Sequence, residues 1–258
     1  MALIQIKGNS TTSGTTVPLA FTSNVTAGNL LIAVTGSGLL GSGGLQSVAD
    51  TQGNVWTQGP GSSSIDSTTN VTVWWAIAKS SGPDTITLSC VGAGTLDLII
   101  AEYSVVAVIQ PDQSNATING GSSSTTFPTG SITTTQAAEL ILAIGLANTL
   151  GLLSTDGGFT PELQVNNNGD GFNKEAMVLA DQTVAAIGTY QSNVSTAGSS
   201  TEMVAAIISF FLGGAPPPVG PPNLKITFRG VKRFPKETPA TAETLVELPE
   251  APHVKRAV

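Results

Sequence analysis

Apolar residues in this chain come in short runs closed off by glycine or by small polar residues. Asn29-Leu-Leu-Ile-Ala-Val-Thr35 lies between Gly28 and Gly36, and the longest run, Met203 to Leu212, covers ten residues. That is about half of the roughly 18 residues a membrane helix needs. Short apolar runs bounded by Gly are buried strands more often than helices. Val71-Thr-Val-Trp-Trp-Ala-Ile-Ala78, the alternating Thr85-Ile-Thr-Leu-Ser-Cys90, Leu96 to Val106, Leu140 to Gly145 and Ala176 to Ala180 read the same way. Val48 to Thr57 reads as a hairpin with Thr51-Gln-Gly-Asn54 as its turn. Ala137 to Ala147 is rich in helix formers, but its likeness to residues 27–35 makes it a strand.

That likeness is an internal repeat. Thr26-Ala-Gly-Asn-Leu-Leu-Ile-Ala-Val34 aligns with Gln136-Ala-Ala-Glu-Leu-Ile-Leu-Ala-Ile144, an offset of 110. Thr95 to Ser104 aligns loosely with Thr201 to Phe210, an offset of about 106. Two halves, about 24–106 and 135–212, each of roughly four strands, predict two facing sheets: an all-β, jelly-roll-like antiparallel β-sandwich body over residues 1–212. Two separate small sandwiches are the disfavoured alternative, since each would bury only a thin core. At 258 residues the chain is long enough to fold without a disulfide or metal staple.

Charge divides the chain. Residues 1–220 hold three lysines, no arginine and thirteen acids, leaving −10; residues 221–258 hold seven basic residues against four acids, leaving +3. Together these give the −7 of the whole. The change falls at Gly213-Gly-Ala-Pro-Pro-Pro-Val-Gly-Pro-Pro222, a semi-rigid spacer. The arm beyond it, 223–258, alternates apolar and polar at Leu224, Ile226 and Phe228 and carries Arg229, Lys232, Arg233 and Phe234, with Val246 and Leu248 later. Its prolines forbid a long helix. A tail this poor in large apolar groups has no core of its own; the reading adopted is an arm that orders against a partner by strand addition and charge contact.

Only 10% of residues are charged, and the net charge is acidic, which argues against nucleic-acid binding through a basic face. One cysteine, Cys90, allows no intrachain disulfide and reads as a buried small hydrophobe. The single histidine, His253, lies in the arm. Ser-His-Asp triads, Cys-His pairs and multi-His metal sites need a histidine held by the fold, so the chain reads as a non-enzyme without cofactors. Gly36 to Gly44 lacks the Lys of a phosphate loop. No basic n-region with an apolar stretch opens the chain, so no signal peptide is expected and no membrane partner.

Three tryptophans are candidate ligand platforms. Trp74 and Trp75, as strand neighbours, should face opposite ways, one into the core and one outward; Trp56 follows the expected turn. Asn166, Asn168 and Asp170, with Gly171 next, match the first half of a calcium loop, but Met177 stands where the bidentate Glu belongs. Asp97, Glu102, Glu139, Asp156 and Glu162 are the carboxylates considered for glycoside hydrolysis, and no spacing selects a pair. Asp97 and Glu102 have opposite parity on one strand and should face opposite ways.

The run AGNLLIAV, SVADTQGNVWTQ, VTVWWAIAK, DTITLS and LDLIIAEYS resembles a β-sandwich module widespread in bacterial and bacteriophage proteins, over about residues 24–106 with a weaker echo at 135–212. The resemblance implies a fold and no catalytic residues. The arm resembles, in style, the extended arms of virion proteins. Together they imply a bacteriophage virion structural protein: a capsid decoration, head fibre or tail accessory, made in the host cytoplasm, bound to other virion proteins through its arm. A homo-oligomer is expected, a trimer favoured. The alternative is an adhesin-type module that reads host glycans.

Overall fold

A computed structural model describes residues 1–38, 46–59, 63–65, 69–105, 109–149, 151–168 and 174–212. The chain divides into two compact units at Pro217/Pro218, inside the expected spacer. The second unit lies outside the described residues, and with it Leu224, Ile226, Phe228, Arg229, Lys232, Arg233, Phe234, Val246, Leu248 and His253; Asp170 lies outside as well.

The first unit is all-β and antiparallel, with no helix among the described residues. Its strands are β1 (Leu3–Ala20), β2 (Leu30–Gly38), β3 (Gln46–Asp50), β4 (Thr57–Gln58), β5 (Ser63–Ile65), β6 (Thr69–Ile77) and β7 (Thr85–Tyr103) in the first half. The second half has β8 (Ile109–Pro128), β9 (Ile132–Thr133), β10 (Glu139–Ala147), β11 (Leu153–Thr155), β12 (Thr160–Asn168), β13 (Lys174–Val184), β14 (Thr189–Tyr190) and β15 (Asn193–Leu212). Within the 137–147 run, Glu139–Ala147 is strand, as its likeness to 27–35 predicted.

Each half makes its own sheet, and the two orders match. The first runs β1-β7-β2-β6-β4 with β3 on β7; the second runs β8-β15-β10-β13-β12 with β11 on β15. The repeat is therefore structural. Leu30 and Leu140 hold equivalent places near the start of their strands, opposite Tyr103 and Phe210. Tyr103 to Phe210 is an offset of 107, so the looser sequence alignment at about 106 is one residue out. A slip of one residue turns every side chain of a strand to the wrong face.

The sheets face one another through a shared core. Leu30, Ile32 and Val34 of β2 and Ile99, Ala101 and Tyr103 of β7 meet Leu140, Leu142 and Ile144 of β10 and Val204, Ala206 and Ile208 of β15. The alternate residues of the same strands are also buried, because each sheet curls over its own outer face. Leu31, Ala33, Leu98 and Ile100 are covered by Val17 and Leu19 of β1 and by Ile86 and Leu88 from the start of β7. In the second half, Phe127, Val194 and Phe159 do the same for Ala147, Ala205 and Ile141. So the facing sheets of the sequence reading hold, and each half adds the lobe core that reading had discounted. Burial on both faces explains why the central strands are continuous apolar runs rather than alternating ones.

Residues 48–57 are not a hairpin. β3 pairs with β7 and β4 with β6, so the Thr51–Asn54 turn carries the chain from the lobe layer to the central sheet.

Candidate functional site

Every tryptophan is used internally. Trp56 is half-buried against the first lobe core and donates its indole N–H to Asp50 Oδ2 at 2.7 Å. Asp50 Oδ1 also accepts from the backbone N–H groups of Gln52 (3.1 Å) and Asn54 (3.0 Å), which fixes the turn. Trp74 and Trp75 do face opposite ways. Trp74 joins the lobe core and donates to Thr35 Oγ1 at 3.3 Å. Trp75 packs against the core between the sheets, edge-on to Phe210 at 6.2 Å between ring centroids and 71° between planes, so the expectation that one of the two indoles faces outward is not met. Because both faces of the strand are covered by apolar layers, each indole packs against a core, and both stay partly exposed.

One surface concavity touches this region. Val55, Thr57, Trp75, Ile77, Ala78 and Lys79 line an open depression of about 340 Å³, with Val55 fully and Ile77 partly exposed beside it.

The calcium motif is out of phase with its strand. Asn166 and Asn168 lie on one face of β12, where the Asn166 side chain accepts from Gln164 Nε2 at 2.6 Å. Asn167, between them, turns inward. Its Nδ2 donates to the Thr11 carbonyl (2.8 Å) and to Asp97 Oδ1 (3.3 Å). Among the described residues, no three His, Cys, Asp or Glu side chains form a group that could hold a metal ion.

The carboxylates are the chemically distinctive feature. Asp97 and Glu102 face opposite ways, as their parity requires. Asp97 meets Glu175 of the other sheet, and burial first, then their mutual repulsion, holds Glu175 well above the usual carboxylate range. Burial also raises Asp97, offset in part by Asn167 and by Glu175 as donor. A second acid pair joins Asp112 and Glu139. Burial pushes Asp112 up, but donors outweigh it, above all the Thr135 hydroxyl (2.6 Å) and backbone N–H (2.7 Å), so its carboxyl sits below the ordinary value. Glu139 takes the proton: burial, with Asp112 beside it, raises it to about 7. A third pair is Glu162 with Asp181, both raised mainly by burial. Glu102, fully buried, has only neutral donors: Gln5 Nε2 (2.6 Å), Thr26 N (2.8 Å) and Asn29 Nδ2 (2.6 Å). Asp156 accepts from Asn193 N (2.6 Å) and Nδ2 (2.8 Å) at the turn before Phe159.

Two carboxyls in contact could in principle serve an acid/base reaction, but catalysis also needs a place for substrate. Asp97 and Glu175 lie inside the inter-sheet core, and Glu139 is fully buried. The sequence reading named Asp97, Glu139 and Glu162 but missed their partners Glu175, Asp112 and Asp181. Each partner lies on a different strand, so only the register of the sheets and the stacking of the two halves bring the pairs together.

Set against family models, curated proteins and solved structures, the chain matches none of them.

Proposed function

We propose that this chain is a non-enzymatic structural protein of a bacteriophage virion, a capsid decoration or a head-fibre or tail accessory, anchored through residues 223–258. One contrast carries the reading. The body's tryptophans and carboxyl pairs are bound up in its own fabric, while seven of the ten Lys and Arg residues lie after residue 220. A body that keeps its polar chemistry for itself suits a display or scaffold role, and a basic segment with spaced apolar residues suits attachment to an acidic lattice or a neighbouring acidic body. Repeated attachment on a symmetric lattice favours a homo-oligomer, and a trimer is the state proposed.

The test compares the full chain with a variant in which Leu224, Ile226 and Phe228 are each replaced by Ser. Both are mixed with purified capsid shells and sedimented, with mass in solution measured by light scattering. The wild type should sediment with shells and the variant should remain in solution while still melting cooperatively. If neither binds shells, the anchoring role is wrong.

The depression at Val55, Trp75, Ile77 and Lys79 favours a second reading, a module that binds host glycans. Apolar side chains beside a lysine can stack on a sugar face and bond its hydroxyls. A glycan array in which Ile77→Asp abolishes a dominant signal would replace the structural reading with this one.

A further inference from the structure

We propose that Asp97 and Glu175 form a proton-held clasp between the two halves of the body, closed in acid and released as the pH rises.

Asp97 stands on β7 of the first sheet and Glu175 on β13 of the second, both almost wholly inaccessible to solvent. Asn167 on β12 ties the same point together through Asp97 Oδ1 (3.3 Å) and the Thr11 carbonyl of β1 (2.8 Å). Four strands from both halves thus converge on one carboxyl pair. Asp97 Oδ2 and Glu175 Oε2 are buried and have no donor among the described residues. A proton held on the pair, carried by Glu175 and donated to Asp97, satisfies them.

Among the described residues, no cation compensates the pair. The groups facing it are Asn167 from β12, the Thr11 carbonyl from β1, Thr95 from β7 itself, and Glu202 from β15, another acid. β2 presents only Gly36, where an added Cβ would lie 3.3 Å from the Asp97 Cβ. Lys174 precedes Glu175 but is exposed on the other face of β13. Ionising both acids therefore places two like charges in an apolar layer, which proteins avoid by keeping the proton.

The sign follows from linkage. Both acids bind their proton more tightly in the folded state than at their ordinary values of 3.8 and 4.5. The clasp's contribution is complete below those values and is lost as the pH climbs through the raised ones. The released state keeps its strands but loses the stitch between β7, β12 and β13.

The test is thermal melting of the full chain between pH 5 and pH 8. The wild-type midpoint should fall by roughly 10 °C over that span. Asp97→Asn and Glu175→Gln keep size and hydrogen bonding and should each remove half or more of the fall. Variants that retain the whole fall overturn the proposal. Amide hydrogen exchange on the wild type is the second readout, needed if either variant does not fold. Corrected for intrinsic rate, protection at Val165–Asn167 and Glu175–Met177 should drop by pH 8 relative to Ile141–Ala143. A uniform change across these segments overturns the clasp.

Discussion

Ala138 holds the left-handed backbone conformation that Gly28 holds at the same place in the other half, with φ of 62° against 87°. Both residues end the turn that leads into a central strand, one residue before Asn29 and Glu139. Glycine adopts this conformation freely, whereas a Cβ costs about 1–2 kcal/mol there. Space is not the issue, because a Cβ built on Gly28 meets nothing within 4 Å. Ala138→Gly should therefore stabilise the protein by about 0.5–1 kcal/mol, once glycine's extra chain entropy is set against the relieved strain. Gly28→Ala should cost about 1 kcal/mol. Urea unfolding of both variants measures this directly. A destabilised Ala138→Gly would mean that the turn is not left-handed in solution.

The halves diverge where their strands meet across the shared core. Trp75 meets Phe210 in one place, and the equivalent residues Asp181 and Tyr103 face each other in the other. The registers that pair Ile32 with Trp75 and Leu142 with Asp181 establish the equivalence. The aromatic contact is fully buried on the Phe210 side, so Phe210→Ala should cost about 3–5 kcal/mol and change the fluorescence of Trp75. Tyr103→Phe keeps the ring and removes only a buried hydroxyl that lies toward Asp181 without a hydrogen-bond partner, so it should be close to neutral, within about 1 kcal/mol. Chemical denaturation followed by fluorescence separates the two. Equal losses would show that the ring, and not its partner, sets the energy at both places.

Much of the fold can be read from the amino acids because both halves repeat the same short apolar run. Gly28 and Gly36 bracket it in the first half, too short for a helix, and Leu140 to Ile144 copies the run itself. The opposite facing of Trp74 and Trp75 follows from strand alternation alone. What failed depends on phase or on distant contacts. Asn166 and Asn168 look like ligands by spacing, but β12 turns Asn167 inward instead. The Thr51–Asn54 turn looks like a hairpin because local sequence does not say which neighbour each arm will pair with. Glu175, Asp112 and Asp181 carry no signal as partners, since a carboxyl on a strand reads as a solvated face until the opposing sheet covers it.

Curling each sheet over itself needs one very close approach in the second half. A Cβ on Gly145 of β10 would lie 2.5 Å from Val194 Cγ1 and 2.8 Å from its Cγ2, atoms at the start of β15. Val194 is branched at Cβ and buried, so it cannot rotate away. Gly145→Ala should destabilise by about 1–3 kcal/mol through overpacking. The double variant Gly145→Ala with Val194→Ala should recover part of that loss. Denaturant midpoints decide it: a silent Gly145→Ala would mean that the lobe is looser than these contacts require.

Glu139 offers a pH test that is separate from the Asp97–Glu175 pair. It opens β10, opposite Phe211, and accepts from the Gln136 N–H at 3.1 Å, while Asp97 lies opposite Gly36 toward the other end of β2. Burial first, and the Asp112 carboxyl with it, raises Glu139 to about 7 from an ordinary 4.5. A raised acid contributes its full stability below 4.5 and loses it as the pH passes through about 7. Glu139→Gln should therefore reduce the fall in melting temperature between pH 5 and pH 8 by about 3 °C. Sites this far apart without shared partners should act independently, so Glu139→Gln and Asp97→Asn together should remove the sum of their separate effects. If the double variant removes no more than Asp97→Asn alone, the two ends of the sandwich loosen as one unit, and pH acts on a single concerted opening of the body.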